Sequence, residues 1–295
     1  MKKYIFSLIL CSFVSYSAIA INIGLNLGDD LEPDQKDAFK AARSRWGKIL
    51  INDDLPRENN DGFDIIIDAN AITIDGVGKT LGQAAPTRLR PHSYIPTRAI
   101  MEFDKADLLN MTSNGSLLNV IMHEMGHALG FGSIWQHLNL IGGDDSNPLF
   151  IGNNAVEVYS SWRKSKTLMA VPLENIPRPG TFKSHWKESI FGNELMTGFL
   201  DRGPNPLSPL TIAAFEDMGY EVDYGQAEAY SLPPITPVVR SYDSSVLRLS
   251  PMPRSSCYCH ATTVLPKTYY SKLYSSSVYS PPVYSSSCDY YCMIQ

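Results

Sequence analysis

The string His123-Glu124-Met125-Gly126-His127-Ala128-Leu129-Gly130 constrains this chain more than any other feature. For its two imidazoles to act together they must lie on one helix face, because positions i and i+4 sit about a turn apart. Two histidines so spaced can grip a single zinc ion, and the glutamate after the first can act as general base toward a water. With 6 histidines in 295 residues, random placement predicts on the order of 0.005 copies of the pattern. The competing reading is a helix whose histidines only cap or pack.

The flanking residues favour a short, buried helix. Leu117, Leu118, Ile121, Met122, Met125 and Leu129 recur at helical spacing and bury the face away from the histidines. Ser113, Asn114 and Ser116 each suit a helix start. Gly130 is the expected stop, since glycine readily takes the positive φ that ends a helix, and Gly132 allows a sharp exit.

The first twenty residues read as a secretory leader. Lys2 and Lys3 precede the apolar run from Tyr4 to Val14, and Ala18, Ile19 and Ala20 fit a small-residue cleavage site. The run is short for a bilayer span, and no other segment is long and apolar enough to cross a membrane. Cys11 follows the bulky Leu10, which does not fit a lipid-attachment signal. The mature chain is therefore expected to be secreted, extracellular or periplasmic, with no stable membrane span.

Charge and cysteine divide unevenly along the chain. The leader carries +2 and the segment from Ser231 carries +3, which leaves −10 on residues 21–230 out of a net −5. An acidic body argues against nucleic acid as a partner. Apart from Cys11, every cysteine lies in the tail, at Cys257, Cys259, Cys288 and Cys292. An even count in an exported chain points to two disulfides in one of three pairings, with a metal cluster assisted by His260 as the rival. Ser, Tyr and Pro make up nearly half of residues 231–295, too little apolar surface to offset ordering entropy. That tail is expected to be mostly extended or disordered, with a surface-attachment role as the alternative.

Between leader and tail the pattern is that of an α/β (α+β) domain. Ile21 to Leu27 alternates as a first strand, and Pro33 opens a helix carrying Phe39, Ala42, Trp46, Ile49 and Leu50. Asp64 to Asp68 and Ile72 to Ile74 read as separate short strands. Leu81 to Arg90 and Arg98 to Phe103 are two more, with a turn from Pro91 to Pro96. The histidine helix follows. Beyond Gly132 turn residues dominate, Asp144 and Asp145 among them, until Ser208 and Pro209 open a last helix closed by Gly219. This order implies a mixed twisted sheet with an active-site helix, then a mostly irregular or helical C-terminal subdomain.

A catalytic zinc needs three protein ligands and one open position. His137, His185, His92 and His260 are all candidates for the third, as is a glutamate, and spacing alone does not decide among them. The segment from Ser184 to Glu188, continuing through Asn193, Glu194, Leu195, Met196, Thr197 and Gly198, closely resembles the second active-site block of leishmanolysin-like metallopeptidases. These belong to the metzincins, whose first block is H-E-x-x-H-x-x-G. The resemblance runs from about Ile21 to Tyr230, through Ile100 to Asp104 and Phe215 to Tyr220, and omits the tail.

The resemblance implies that His185 is the third ligand beside His123 and His127. It implies too that Met196 forms the structural turn beneath one catalytic Zn²⁺, and that Leu81 to Ala85 is an edge strand aligning substrate. Two departures stand out: no cysteine precedes the histidine helix in the mature chain, and position 198 is glycine where some metzincins have tyrosine.

The domain reading is thus a signal peptide at 1–20, a metzincin-like catalytic domain at 21–230 (upper part about 21–132, lower part about 133–230), and the tail at 231–295. The expected function is a secreted zinc endopeptidase that hydrolyses protein and peptide substrates through a zinc-activated water, with Glu124 as general base. The alternative is a non-catalytic, zinc-containing, surface-binding or adhesive protein.

Overall fold

The computed structural model describes residues 20–51, 62–178, 180–234 and 247–248. Residues 1–19 of the expected leader and the four tail cysteines lie outside the described residues, as does His260.

Strand β1 (Ile23–Leu27) leads into helix α1 (Pro33–Ile49), which begins where Gln35 Oε1 accepts a hydrogen bond from the Glu32 N–H, with Pro33 pre-set for the first turn. Its inner stripe is Phe39, Ala42, Trp46 and Ile49, all fully buried. After β2 (Leu50–Ile51) come β3 (Ile65–Ile72), β4 (Gly82–Leu89) and β5 (Pro96–Asp104). The four longer strands form one sheet in the order β1-β3-β5-β4; β1, β3 and β5 are parallel and β4 runs antiparallel along the edge. The architecture is therefore a mixed α/β domain with an open mixed sheet, as its sequence pattern implies.

Two sequence expectations need correction here. The expected strand at 64–68 runs on through Ile72 as one continuous strand, β3, and Thr73 and Ile74 lie beyond its end. Its inward positions Ile65, Ile67, Ala69 and Ala71 keep strict alternation, but the small alanines and intervening Asp68 and Asn70 lower its apparent hydrophobicity. The histidine helix does not follow β5 directly. Helix α2 (Lys105–Asn114) intervenes, started by Asp104, whose Oδ1 accepts the Ala106 N–H, and ended at Gly115 with φ +78°.

Helix α3 (Leu117–Ala128) then packs on α1, β4 and β5. Of the three candidate starts, Ser116 is its N-cap. It closes with paired bonds, Phe131 N–H to Gly126 C=O and Gly130 N–H to His127 C=O, around Gly130 at φ +115°. This is the glycine stop that the sequence implies. Trp46 on α1 donates its indole N–H to the Met122 carbonyl at 3.0 Å, and Tyr220 donates to the Leu129 carbonyl at 2.8 Å, fixing α3 from below.

The lower part contains a small sheet of β6 (Ile141–Gly143), β7 (Pro148–Phe150) and β8 (Val171–Pro172), with helix α4 (Asn153–Trp162) between the last two. Short helix α5 (Glu188–Phe191), β9 (Phe199–Leu200), α6 (Pro209–Asp217) and β10 (Glu221–Val222) follow. Within the tail, β11 (Leu247–Arg248) pairs antiparallel with β9, one short stretch of regular structure beyond Tyr230. A single apolar core joins both parts, with Trp46, Phe131, Trp135, Trp186 and Phe215 in ring contact across the join. Among the described residues no helix is long and apolar enough to cross a membrane.

Candidate active site

The helical spacing of His123 and His127 does what the geometry of α3 requires: their rings sit on one face with Nε2 atoms 2.9 Å apart. His185 enters from a distant stretch of irregular chain. Gly132 makes that approach possible. At φ +67° it turns the backbone out of the site, and a Cβ there would lie 2.2 Å from the Ser184 carbonyl oxygen. The His185 Nε2 comes to 3.1 Å from each of the other two. All three rings are fully buried, and among the described residues they form the one cluster able to hold a metal ion.

The other ring nitrogens are committed elsewhere. His123 Nδ1 lies 2.7 Å from the Leu195 carbonyl, His127 Nδ1 2.8 Å from the Phe131 carbonyl, and His185 Nδ1 3.3 Å from the Thr181 carbonyl and 3.0 Å from Ser184 Oγ. A carbonyl only accepts, so each Nδ1 carries the proton and each Nε2 presents a lone pair. Burial pushes all three imidazoles toward the neutral form, with the other imidazoles adding to this for His123 and His185; His127 falls to about 4. Three lone pairs about 3 Å apart repel unless a cation lies among them. Zinc–imidazole bonds of roughly 2.0–2.1 Å imply nitrogen–nitrogen edges of roughly 3.3 Å in a tetrahedron, only a few tenths longer than those observed. The donor set fits zinc.

Glu124 is fully buried on α3 beside β4: a Cβ on Gly82 would lie 3.1 Å from Glu124 Cγ. The start of the edge strand therefore runs directly over this carboxylate. Asp104 N–H donates inward to the Leu81 carbonyl. Ladder alternation then turns the main-chain groups of Gly82 and Ala84 toward the free edge. Pro86, next at that edge, contributes a carbonyl and no donor.

Met196 lies under the helix. A Cβ on Gly126, between the two histidines, would come within 3.0 Å of Met196 Cε, so the thioether packs against the backbone that carries both rings. The glycine at 198 has a local cause as well. A Cβ there would meet Thr181 Cγ2 at 2.8 Å, leaving no room for a tyrosine. His137 is exposed and stacks on Tyr94, with ring centres 5.2 Å apart, and His92 is exposed on the β4–β5 turn. Neither joins the cluster. Glu102 pairs across strands with Gln83 at 2.9 Å, and Asp144 accepts from Ser146 and Asn147 within a polar turn.

Residues 57–233 match the family model described as leishmanolysin. The chain belongs to the leishmanolysin family. A leishmanolysin homolog of Crithidia fasciculata is 31% identical over 121 residues, 38% of this chain and 18% of that protein. The ciliated left-right organizer metallopeptidase of Mus musculus is 28% identical over 138 residues, 39% of this chain and 20% of that protein. The matched region thus spans about a fifth of the length of these curated relatives. β1 and α1 precede the family match, although α1 supplies Trp46 beneath the helix.

Sequence reasoning did not find the three carbonyls that orient the rings, because any residue offers a carbonyl. Nor does the sequence give Glu194 any task beyond its place in the second block, yet that side chain is fully buried among four donors.

Proposed function

We propose that this leishmanolysin-family chain is an exported zinc endopeptidase of metzincin type, with His123, His127 and His185 as metal ligands and Glu124 as general base. The observation that carries the reading is the convergence of three buried, Nδ1-committed imidazoles on one point. Family membership supports a metallopeptidase. The leader carried by Lys2, Lys3 and the apolar run after them supports export.

Zinc held by the three Nε2 atoms would acidify a water and polarise the scissile carbonyl. The peptide substrate adds as a strand to β4, pairing with the outward groups of Gly82 and Ala84, which draws the scissile bond over Glu124. Glu124 takes a proton from the attacking water as the oxygen bonds to the carbonyl carbon. It delivers that proton to the amide nitrogen as the carbon–nitrogen bond breaks. The buried position of Glu124 and the apolar Phe103 ring beside Gly82 keep bulk water from competing for the proton.

The decisive test is Glu124→Ala. Zinc content should remain stoichiometric while casein cleavage falls by about 10²–10⁴-fold; cleavage at the wild-type rate removes Glu124 from the mechanism. His185→Ala should lose zinc itself, measured by metal analysis after dialysis.

A further inference from the structure

Glu194 is a carboxylate that the peptidase reading leaves without a task. It is fully buried, and no cation pairs with it among the described residues. Its oxygens instead collect four donors. Oε2 accepts the Met196 N–H at 2.6 Å. Oε1 accepts the Ser208 N–H at 3.1 Å, the Ser208 hydroxyl at 2.7 Å and the Thr211 hydroxyl at 2.5 Å. Burying a carboxylate is costly, and this many donors is what makes it tolerable.

Two routes lead from this carboxylate to the imidazoles. The first is a single peptide plane. The Met196 N–H bound by Glu194 and the Leu195 carbonyl that accepts from His123 Nδ1 belong to the same planar unit, so fixing one end fixes the other. The second runs through Thr211, whose hydroxyl accepts the Trp186 indole N–H at 2.9 Å while donating to Glu194. Trp186 is the next residue after His185, and its own N–H bonds the Met196 carbonyl at 3.1 Å. His127 is on neither route; the end of its own helix holds it through Phe131.

We infer that Glu194 is a positioning residue for the metal centre, orienting His123 through the Leu195–Met196 peptide plane and His185 through Thr211 and Trp186. The inference rests on the metal-site reading above.

The test is Glu194→Gln in the full chain, which replaces one acceptor oxygen by an NH₂ group whichever way the amide faces. Zinc affinity, measured by competition with a chromogenic chelator, should weaken about tenfold, as when a partner behind a ligand is lost. In the zinc-loaded protein the ¹⁵N imidazole resonances of His123 and His185 should shift while those of His127 stay in place. Thr211→Val, close in shape, cuts only the second route; it should weaken zinc by about threefold and move His185 more than His123. An Ile67→Val variant in the central sheet lowers stability away from the site and should change neither readout.

Wild-type affinity and unmoved imidazoles in Glu194→Gln overturn the inference, as does an equal shift of all three rings. Should Glu194→Gln fail to fold, an unmoved His185 in Thr211→Val overturns it instead. Wild-type protein that takes up no zinc overturns the metal reading beneath it, a result distinct from variants that bind as well as a zinc-binding wild type.

Discussion

The chain before Gly132 and the chain after it satisfy their main-chain groups by different means. In the upper part, strands β1, β3, β4 and β5 and helices α1 and α3 pair mainly backbone with backbone, and few side chains, Asp104 and Arg90 among them, bond the main chain there. In the lower part, the stretch from Glu174 to Ser208 contains one four-residue helix and a two-residue strand. There two buried carboxylates organise the backbone. Glu174 accepts the N–H groups of Asn175, Ile176 and Glu188, and Glu194 those of Met196 and Ser208. A helix fixes the first two imidazoles relative to each other by its own period. The third is held by a polar framework, and its precision depends on every member of that framework being paired.

The sharpest way to break this arrangement is where the two parts touch. Gly132→Ala adds a Cβ 2.2 Å from the Ser184 carbonyl oxygen, at φ +67°. Neither party is a flexible side-chain end that could swing away. We expect a loss of more than about 3 kcal/mol in urea unfolding, with zinc lost as His185 is displaced. Retention of both would mean that the loop carrying Ser184 yields easily, and that the lower part is looser than its bonding implies.

A smaller effect is expected within the lower framework. Glu174→Gln keeps one oxygen for Asn175 and Ile176 but sets an NH₂ group against the Glu188 N–H. Setting a donor against this part-buried N–H costs about 1 kcal/mol. Because Glu174 is tied to His185 by its main chain, with its N–H donating to the His185 carbonyl at 2.9 Å, that link survives the change. Stability should fall while zinc affinity stays close to wild type, in contrast to the roughly tenfold weakening of zinc expected at Glu194. Denaturant midpoints and chelator competition on the same samples separate the two.

This contrast also explains what could be read from the sequence. The upper part was legible because period carries information: Ile23 to Leu27, the stripe from Phe39 to Ile49 and the α3 stripe each declare both element and buried face. The loss of α2 has a local reason. Only Leu108 and Met111 mark its inner face among apolar residues, and Leu109 is exposed. Helix α4 escaped likewise, since Ala155, Val156 and Tyr159 sit among turn-prone neighbours. His185 and Met196 were found by resemblance to a family motif, not by period. The framework around them has none, and a buried Glu194 looks like an exposed one until Ser208 and Thr211 are seen beside it.

The smallest predicted effect lies where the upper part borrows the lower part's device. Burial opposes ionisation of Asp104, but the N–H groups of Ala106, Gly76, Asp75 and Ile74 outweigh it and hold the carboxyl below its ordinary value. Among the described residues, Asp107 beside it receives one donor, Gly78 N–H, on Oδ1, while its buried Oδ2 has no partner. Burial first, then the charges of Asp104 and Asp75, push its carboxyl upward despite that one bond. An acid whose folded value is raised holds its proton more tightly folded than unfolded. Its ionisation therefore disfavours the fold once pH exceeds the ordinary aspartate value, and costs nothing well below it. Asp107→Asn keeps an acceptor for Gly78 and removes the charge. It should stabilise the protein by about 1 kcal/mol or less at pH 7, with the gain shrinking toward nothing near pH 3, as read from urea midpoints at both pH values. A loss at pH 7 would mean that the ionised carboxylate is needed there, and that this cluster is satisfied by more than the single Gly78 donor.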